Sequence, residues 1–257
     1  MLRELKCTLR FSDHVRDVTL KHFELRLPAL ARELASDDVE LHRAYYTDII
    51  SDKPAYSDLT QHQKYLHDLH GLLGPVISAY RLRKRIPRLS PRTRSISASA
   101  HLEDAGQRIA LEAYHFKERL KLVSRSMAVL IVRREDRDIH HKFLGNLILS
   151  FEKSNDRLLR YRNFIVHGPL GRTDEFSDLR GWELGGIFYH QDLWFDYNNA
   201  FWETQEQWTI LAKALLESMQ SGLIKVQAEN ERLIAAGSFD FSLAEPTAIY
   251  VADGPTE

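Results

Sequence analysis

The chain has 257 residues, 44% hydrophobic and 28% charged, an ordinary balance for a protein that buries a core in one large domain or two small ones. Its 35 basic and 36 acidic residues nearly cancel, so overall charge gives no drive toward nucleic acid and only local patches can supply one. The single cysteine, Cys7, excludes an intrachain disulfide and a thiolate metal cluster; no apolar run approaches membrane-spanning length and the charged start "MLRELKCTLRFSDH" is not a signal peptide, so a soluble, cytoplasmic protein is expected.

Residues 1–95 read as a mostly helical region. "LKCTLRF" alternates apolar and polar residues, which predicts a short strand. "SDHVRDVTLKHFELRL" fits either a helix capped at Ser12 or a second strand, ended by Pro28. Ser36 opens the capped helix "DDVELHRAYYTDII", with acids in its first turn. Ser57 opens a longer one, "DLTQHQKYLHDLHGLLGPVISAYRLRKR", bent or split at Gly74-Pro75. His62, His67 and His70 lie on it. They read as a solvated polar face, because no further ligand at metal-binding spacing accompanies them.

Seven basic residues fall between Arg81 and Arg94 and no acid occurs from Gly71 to Leu102. This shift marks 81–95 as a basic linker and puts the main boundary near residue 95. Arg83, Lys84 and Arg85 are its candidates for contact with an RNA backbone. It holds no aromatic residue to stack on bases.

Residues 96–237 read as a second, helical domain. Ile109, Tyr114 or Phe116, Leu120, Val123, Met127 and Leu130 recur at three-to-four spacing, the mark of an amphipathic helix. "REDRD" is the expected turn. One further helix, "IHHKFLGNLILSFEKSNDRLLRYRNFIVH", has Leu147, Phe151, Leu158 and Ile165 on one stripe. "GWELGGIFYHQDLWFDY" is aromatic and partly alternating, which predicts a β-hairpin. A long helix follows, burying Trp208, Leu211, Leu215, Met219 and Val226, and Gly237 is its stop. Residues 238–257 contain four acids and no bases and read as an acidic tail.

The chemistry-bearing segment is "RLLRYRNFIVHGPL". At 100° per residue, Glu152, Asp156, Arg160, Asn163 and His167 fall opposite the apolar stripe. Asn163 and His167 are four apart and share a face. Gly168 and Pro169 end the helix, leaving His167 in the last turn. Its imidazole is a natural proton carrier near neutrality. A looser Arg–His spacing recurs at Arg16–His22, Arg108–His115, Arg133–His140 and Arg134–His141. Arg162–His167 differs from these. Asn163 directly follows the arginine, the helix is strongly amphipathic, and a long preceding helix is there to pack against.

"RNFIVH" resembles the signature of HEPN domains over about residues 100–236. The resemblance implies a mainly α fold: a HEPN-like helical bundle, here with a small β-hairpin insertion and an N-terminal helical region. It implies a metal-independent endoribonuclease without cofactor, of the toxin or phage-defence type, acting as a homodimer whose two motifs form one site. His167 would be the general acid or base, Arg162 would hold the scissile phosphate, and Asn163 would orient either. Arg160 would be a further RNA contact. An antitoxin or other regulatory partner belongs to this picture. Pro169 stands where toxins controlled by AMP transfer carry a tyrosine, so that control is not expected. The alternative is a non-catalytic HEPN-like module for dimerisation or nucleic-acid binding.

Overall fold

The structure, a computed structural model, describes residues 6–26, 57, 59–91, 97–167, 176–188 and 193–239. These are helical: α1 Lys6–Arg26, α2 Gln61–Gly71, α3 Leu73–Arg85, α4 Ala98–Leu130, α5 Arg134–Ser154, α6 Asp156–His167, α7 Ser177–Phe188 and α8 Leu193–Ala235. A 3-10 turn, Ile86–Arg88, follows α3. The chain is thus mainly α, and among the described residues β pairing is limited to an isolated bridge between Ile131 and Phe239. No helix among them is long and apolar enough to cross a membrane. The helix expected after Ser36 and most of the acidic tail lie outside the described residues.

Contacts divide the chain into two compact units. One comprises Met1–Gly71, Lys121–Gly145 and Lys225–Glu257; the other comprises Leu72–Leu120 and Asn146–Ile224. The divide expected near residue 95 is not where contacts separate. The boundaries fall after α2 and inside α4, α5 and α8.

In the first unit, residues 6–11 of "LKCTLRF" are helix rather than strand, and α1 runs through Ser12 without a cap there. Thr8, Phe11, Val15 and Val18 are all buried, a three-to-four spacing that a seven-residue window is too short to reveal. Helix α2 starts later than Ser57. The Gln63 N–H donates to Thr60 Oγ1 at 3.2 Å and the Thr60 N–H donates to Gln63 Oε1 at 2.9 Å, a reciprocal capping box that satisfies two N-terminal donors. Helix α8 ends as expected at Gly237, whose φ is 61°. Gly237 N–H donates to Ile234 O and Ser238 N–H to Leu233 O, both at 3.0 Å, the bond pair of a Schellman stop. "REDRD" is not a turn but the first turns of α5. There Asp136 accepts from Arg232 at 3.1 Å and from the Ser238 hydroxyl.

In the second unit, the split near Gly74-Pro75 falls at Leu72. A proline ring clashes with the carbonyl four residues back, here that of Gly71, so the break lies one turn upstream and Pro75 sits in the first turn of α3. The basic stretch is not a linker up to Arg88: Arg81 to Arg85 are helical. Gln205 Nε2 donates to the Ile86 and Leu89 carbonyls at 2.8 Å each, which ties the 3-10 turn to α8. The expected single helix from Ile139 to His167 is two, parted at Asn155. The Asn155 side-chain amide donates to Phe151 O at 2.9 Å and to Ser218 Oγ at 3.0 Å, competing with the backbone ladder as asparagine does.

Among the described residues the predicted hairpin is not seen: 181–188 lie in α7 and 193–197 at the start of α8, while 189–192 lie outside the described residues. Glu183 is buried, while Trp182 and Leu184 are exposed. The Glu183 carboxylate accepts from the Ser97 and Ser99 hydroxyls, the Ala98 N–H and Tyr197 Oη at 3.0 Å, and so caps the start of α4. Burial pushes this carboxyl up, but the four hydrogen bonds outweigh it and hold it below the usual glutamate range.

Candidate functional site

The segment that carries the site is α6. Leu158 and Tyr161 are its buried residues. The Tyr161 ring meets Trp208 edge-on with centroids 5.2 Å apart, and Trp208 stacks on Phe176 at 5.5 Å; such pairs contribute about 0.5–1.5 kcal/mol each beyond their burial. Next door, Phe116 of α4 packs on Phe151 of α5 at 5.1 Å. Phe116, not Tyr114, is therefore the core residue of that stretch. The burial of Leu158 and Tyr161 fixes the rotation of α6. Arg160, Asn163 and His167 are left exposed, as their spacing predicted, and Ile165 is half-buried rather than core.

Arg162 and Asn163 are brought together, since Arg162 Nη1 donates to Asn163 Oδ1 at 3.1 Å. The Arg162 guanidinium lies flat against α4. Its Cζ lies 3.8 Å from the centroid of the Tyr114 ring on α4. Its Nε is buried without an acceptor among the described residues. Lys117 Nζ lies 5.1 Å from the same ring and 3.5 Å from Glu152 on α5. Tyr114 and Lys117 are the site residues that the sequence did not point to. Their i, i+3 spacing was visible, but nothing local announces that Arg162 will arrive over the ring.

His167 is the last residue of α6 and is exposed. Among the described residues no hydrogen bond joins it to Arg162 or Asn163. Five helical residues put Arg162 and His167 about 140° apart, so one chain does not converge them. Arg160 pairs with Asp156 one turn back at 2.8 Å; an exposed pair of this kind contributes roughly 0.3–0.5 kcal/mol. An open cleft of about 600 Å³ runs along this side, lined by Leu149, Glu152, Lys153, Asp156, Arg160 and Asn163 among others. Its two acids and two bases balance, so it does not by itself draw a polyanion.

The basic residues of α3 form a face of their own. Arg81, Lys84, Arg85 and Arg88 are exposed and Arg83 is half-buried; the spacing of the exposed four puts them on one side of a helical path. Lys84 lies over the Tyr80 ring at 5.7 Å, and Arg85 approaches Asp104 at 3.7 Å. In the first unit, His62 is buried rather than solvated, while His67 Nδ1 lies 3.3 Å from the buried Asp68. Among the described residues, no group of three or more His, Cys, Asp or Glu side chains suited to a metal ion comes together.

Comparison of the chain with family models, with curated proteins and with solved structures finds no match.

Proposed function

We propose that the protein is a metal-independent endoribonuclease of the HEPN type, with Arg162, Asn163 and His167 as its working residues. The observation that carries the reading is the end of α6. A guanidinium in contact with an asparagine and a solvent-accessible imidazole stand within six residues of one another, outside the core. The reaction that uses them is transesterification. A ribose 2′-OH attacks the adjacent phosphorus and the P–O5′ bond breaks. One imidazole takes the 2′ proton and another, protonated, delivers a proton to the departing 5′ oxygen. The products are a 2′,3′-cyclic phosphate and a 5′-hydroxyl. Arg162 offsets the charge that grows on the phosphoryl oxygens. Because Arg162 and His167 diverge on one helix, a second copy of the chain completes the site. A toxin or defence role, and a partner that restrains it, follow from family analogy alone.

The basic face of α3 favours a second reading, in which the chain binds nucleic acid without turning it over. RNA cleavage in EDTA separates the two. Wild type is expected to cut, with about 100-fold or larger losses in His167→Ala and in Arg162→Ala. Activity that survives both substitutions removes this site, and activity abolished by EDTA removes the metal-free mechanism. Binding without any cutting leaves the module reading in place.

A further inference from the structure

We infer that Tyr114 is the positioning residue that turns Arg162 into a phosphate-binding group, an inference that rests on Arg162 being the residue that holds the scissile phosphate. Arginine on a helix surface samples many rotamers and loses that freedom when it grips a ligand. Here the freedom is already spent. The guanidinium carbon is in van der Waals contact with the Tyr114 ring, 3.8 Å from its centroid. The ring quadrupole attracts the cation while providing no hydrogen-bond acceptor of its own at that face.

The remaining contacts decide which donors stay available. Nη1 is engaged with Asn163 Oδ1 and Nε is buried. Nη2 has no acceptor among the described residues, and Nη1 keeps a second N–H. The outer edge of the fork is thus left for an oxyanion, the edge on which arginine recognises phosphate.

The ring carries a second cation, from its own helix. Lys117, one turn along α4, places its ammonium 5.1 Å from the Tyr114 centroid and is held there by Glu152 of α5 at 3.5 Å. The lysine charge is offset by that carboxylate, whereas Arg162 has no carboxylate partner among the described residues. Of the two cations on the ring, Arg162 is therefore the one with charge to offer a phosphodiester.

The test is a double-mutant cycle on binding. The probe is a fluorescent 2′-O-methyl oligoribonucleotide of about 12 nucleotides, which lacks the nucleophile and cannot be cut, read by anisotropy at fixed salt. Wild type, Tyr114→Leu, Tyr114→Phe, Arg162→Ala and the Tyr114→Leu/Arg162→Ala double variant are compared, with far-UV circular dichroism and melting to establish that each is folded. Tyr114→Leu is expected to weaken binding about tenfold and Tyr114→Phe, which keeps the ring, by less than about twofold. In the Arg162→Ala background Tyr114→Leu should then have no further effect. Wild-type affinity in Tyr114→Leu overturns the inference. So does an equal loss in both backgrounds, which would mark a merely structural tyrosine. Wild type that binds the probe but cuts no RNA removes the nuclease reading and leaves this one to the cycle. Wild type that neither binds nor cuts overturns both.

Discussion

A hydrogen atom is all that Gly106 presents to the rings around it. A Cβ built there would lie 2.9 Å from Phe176 Cζ and 3.1 Å from Trp208 Cε2, and both rings are buried and stacked on each other. Alanine gains about 1 kcal/mol of helix propensity over glycine, but forcing volume into a packed core costs about 1–3 kcal/mol. Gly106→Ala is therefore expected to lower stability by up to about 2 kcal/mol net, whereas Gly74→Ala, with nothing among the described residues within 4 Å of the added carbon, should raise it by up to about 1 kcal/mol. Urea titrations followed by tryptophan fluorescence compare the two, and a Gly106→Ala protein stabilised as much as Gly74→Ala would remove the packing argument. The same contrast marks what single residues disclose in sequence. The exposure of Arg160, Asn163 and His167 follows from helical arithmetic and was legible. The closeness of Gly106 to two rings, and of Arg162 to Tyr114, is made by pairing residues about 50 to 100 positions apart, which no local pattern encodes.

Elements were legible where their apolar period ran long. Helix α4 shows Ile109, Phe116, Leu120, Val123, Met127 and Leu130 all buried, and the Gly237 stop was readable from one residue. Legibility failed where a window was short, as in α1, or where a polar residue takes the inside position, as Glu183 does in α7. It also failed at α3, where density of charge suggests a linker although α3 buries Val76, Ala79, Tyr80 and Leu82. That helix carries a prediction. If the face of Arg81, Lys84 and Arg88 tracks an RNA backbone, each cation displaces counterions from the strand. Changing all three to glutamine should then flatten the slope of log K against log salt by about 2 for a single strand, and weaken binding across unrelated sequences alike. Anisotropy from about 50 to 200 mM salt measures it. An unchanged slope would assign α3 to a solvated surface and leave phosphate contact to α6.

At the scale of the whole chain, the two units carry different titrating groups. In the first, burial lowers His14 against the pull of Glu231 and Asp17, with Lys21 adding to the shift. Burial likewise lowers His140, outweighing the Ser124 carbonyl and the Glu229 carboxylate beside it. A histidine depressed on folding stabilises the fold above its unfolded value of 6.5, and that contribution is lost as pH falls below it, because the unfolded chain then binds more protons. In the second unit the corresponding group is Glu183, held below its ordinary 4.5, so its contribution persists until pH drops under that value. The first unit should therefore loosen at a higher pH than the second. The tryptophans Trp182, Trp194, Trp202 and Trp208 all belong to the second unit, while helical circular dichroism reports both. On acid titration, ellipticity is expected to begin falling between about pH 6.5 and 5, with tryptophan emission unchanged until below about pH 4.5. His140→Gln should remove part of the early phase and leave the late one in place. Since α4, α5 and α8 each contribute to both units, the early phase would be the melting of their ends in the first unit while the remainder stays wound. Coincident transitions by the two probes would mean instead that those continuous helices bind the units into one cooperative block, with the buried histidines setting the acid limit for the entire chain.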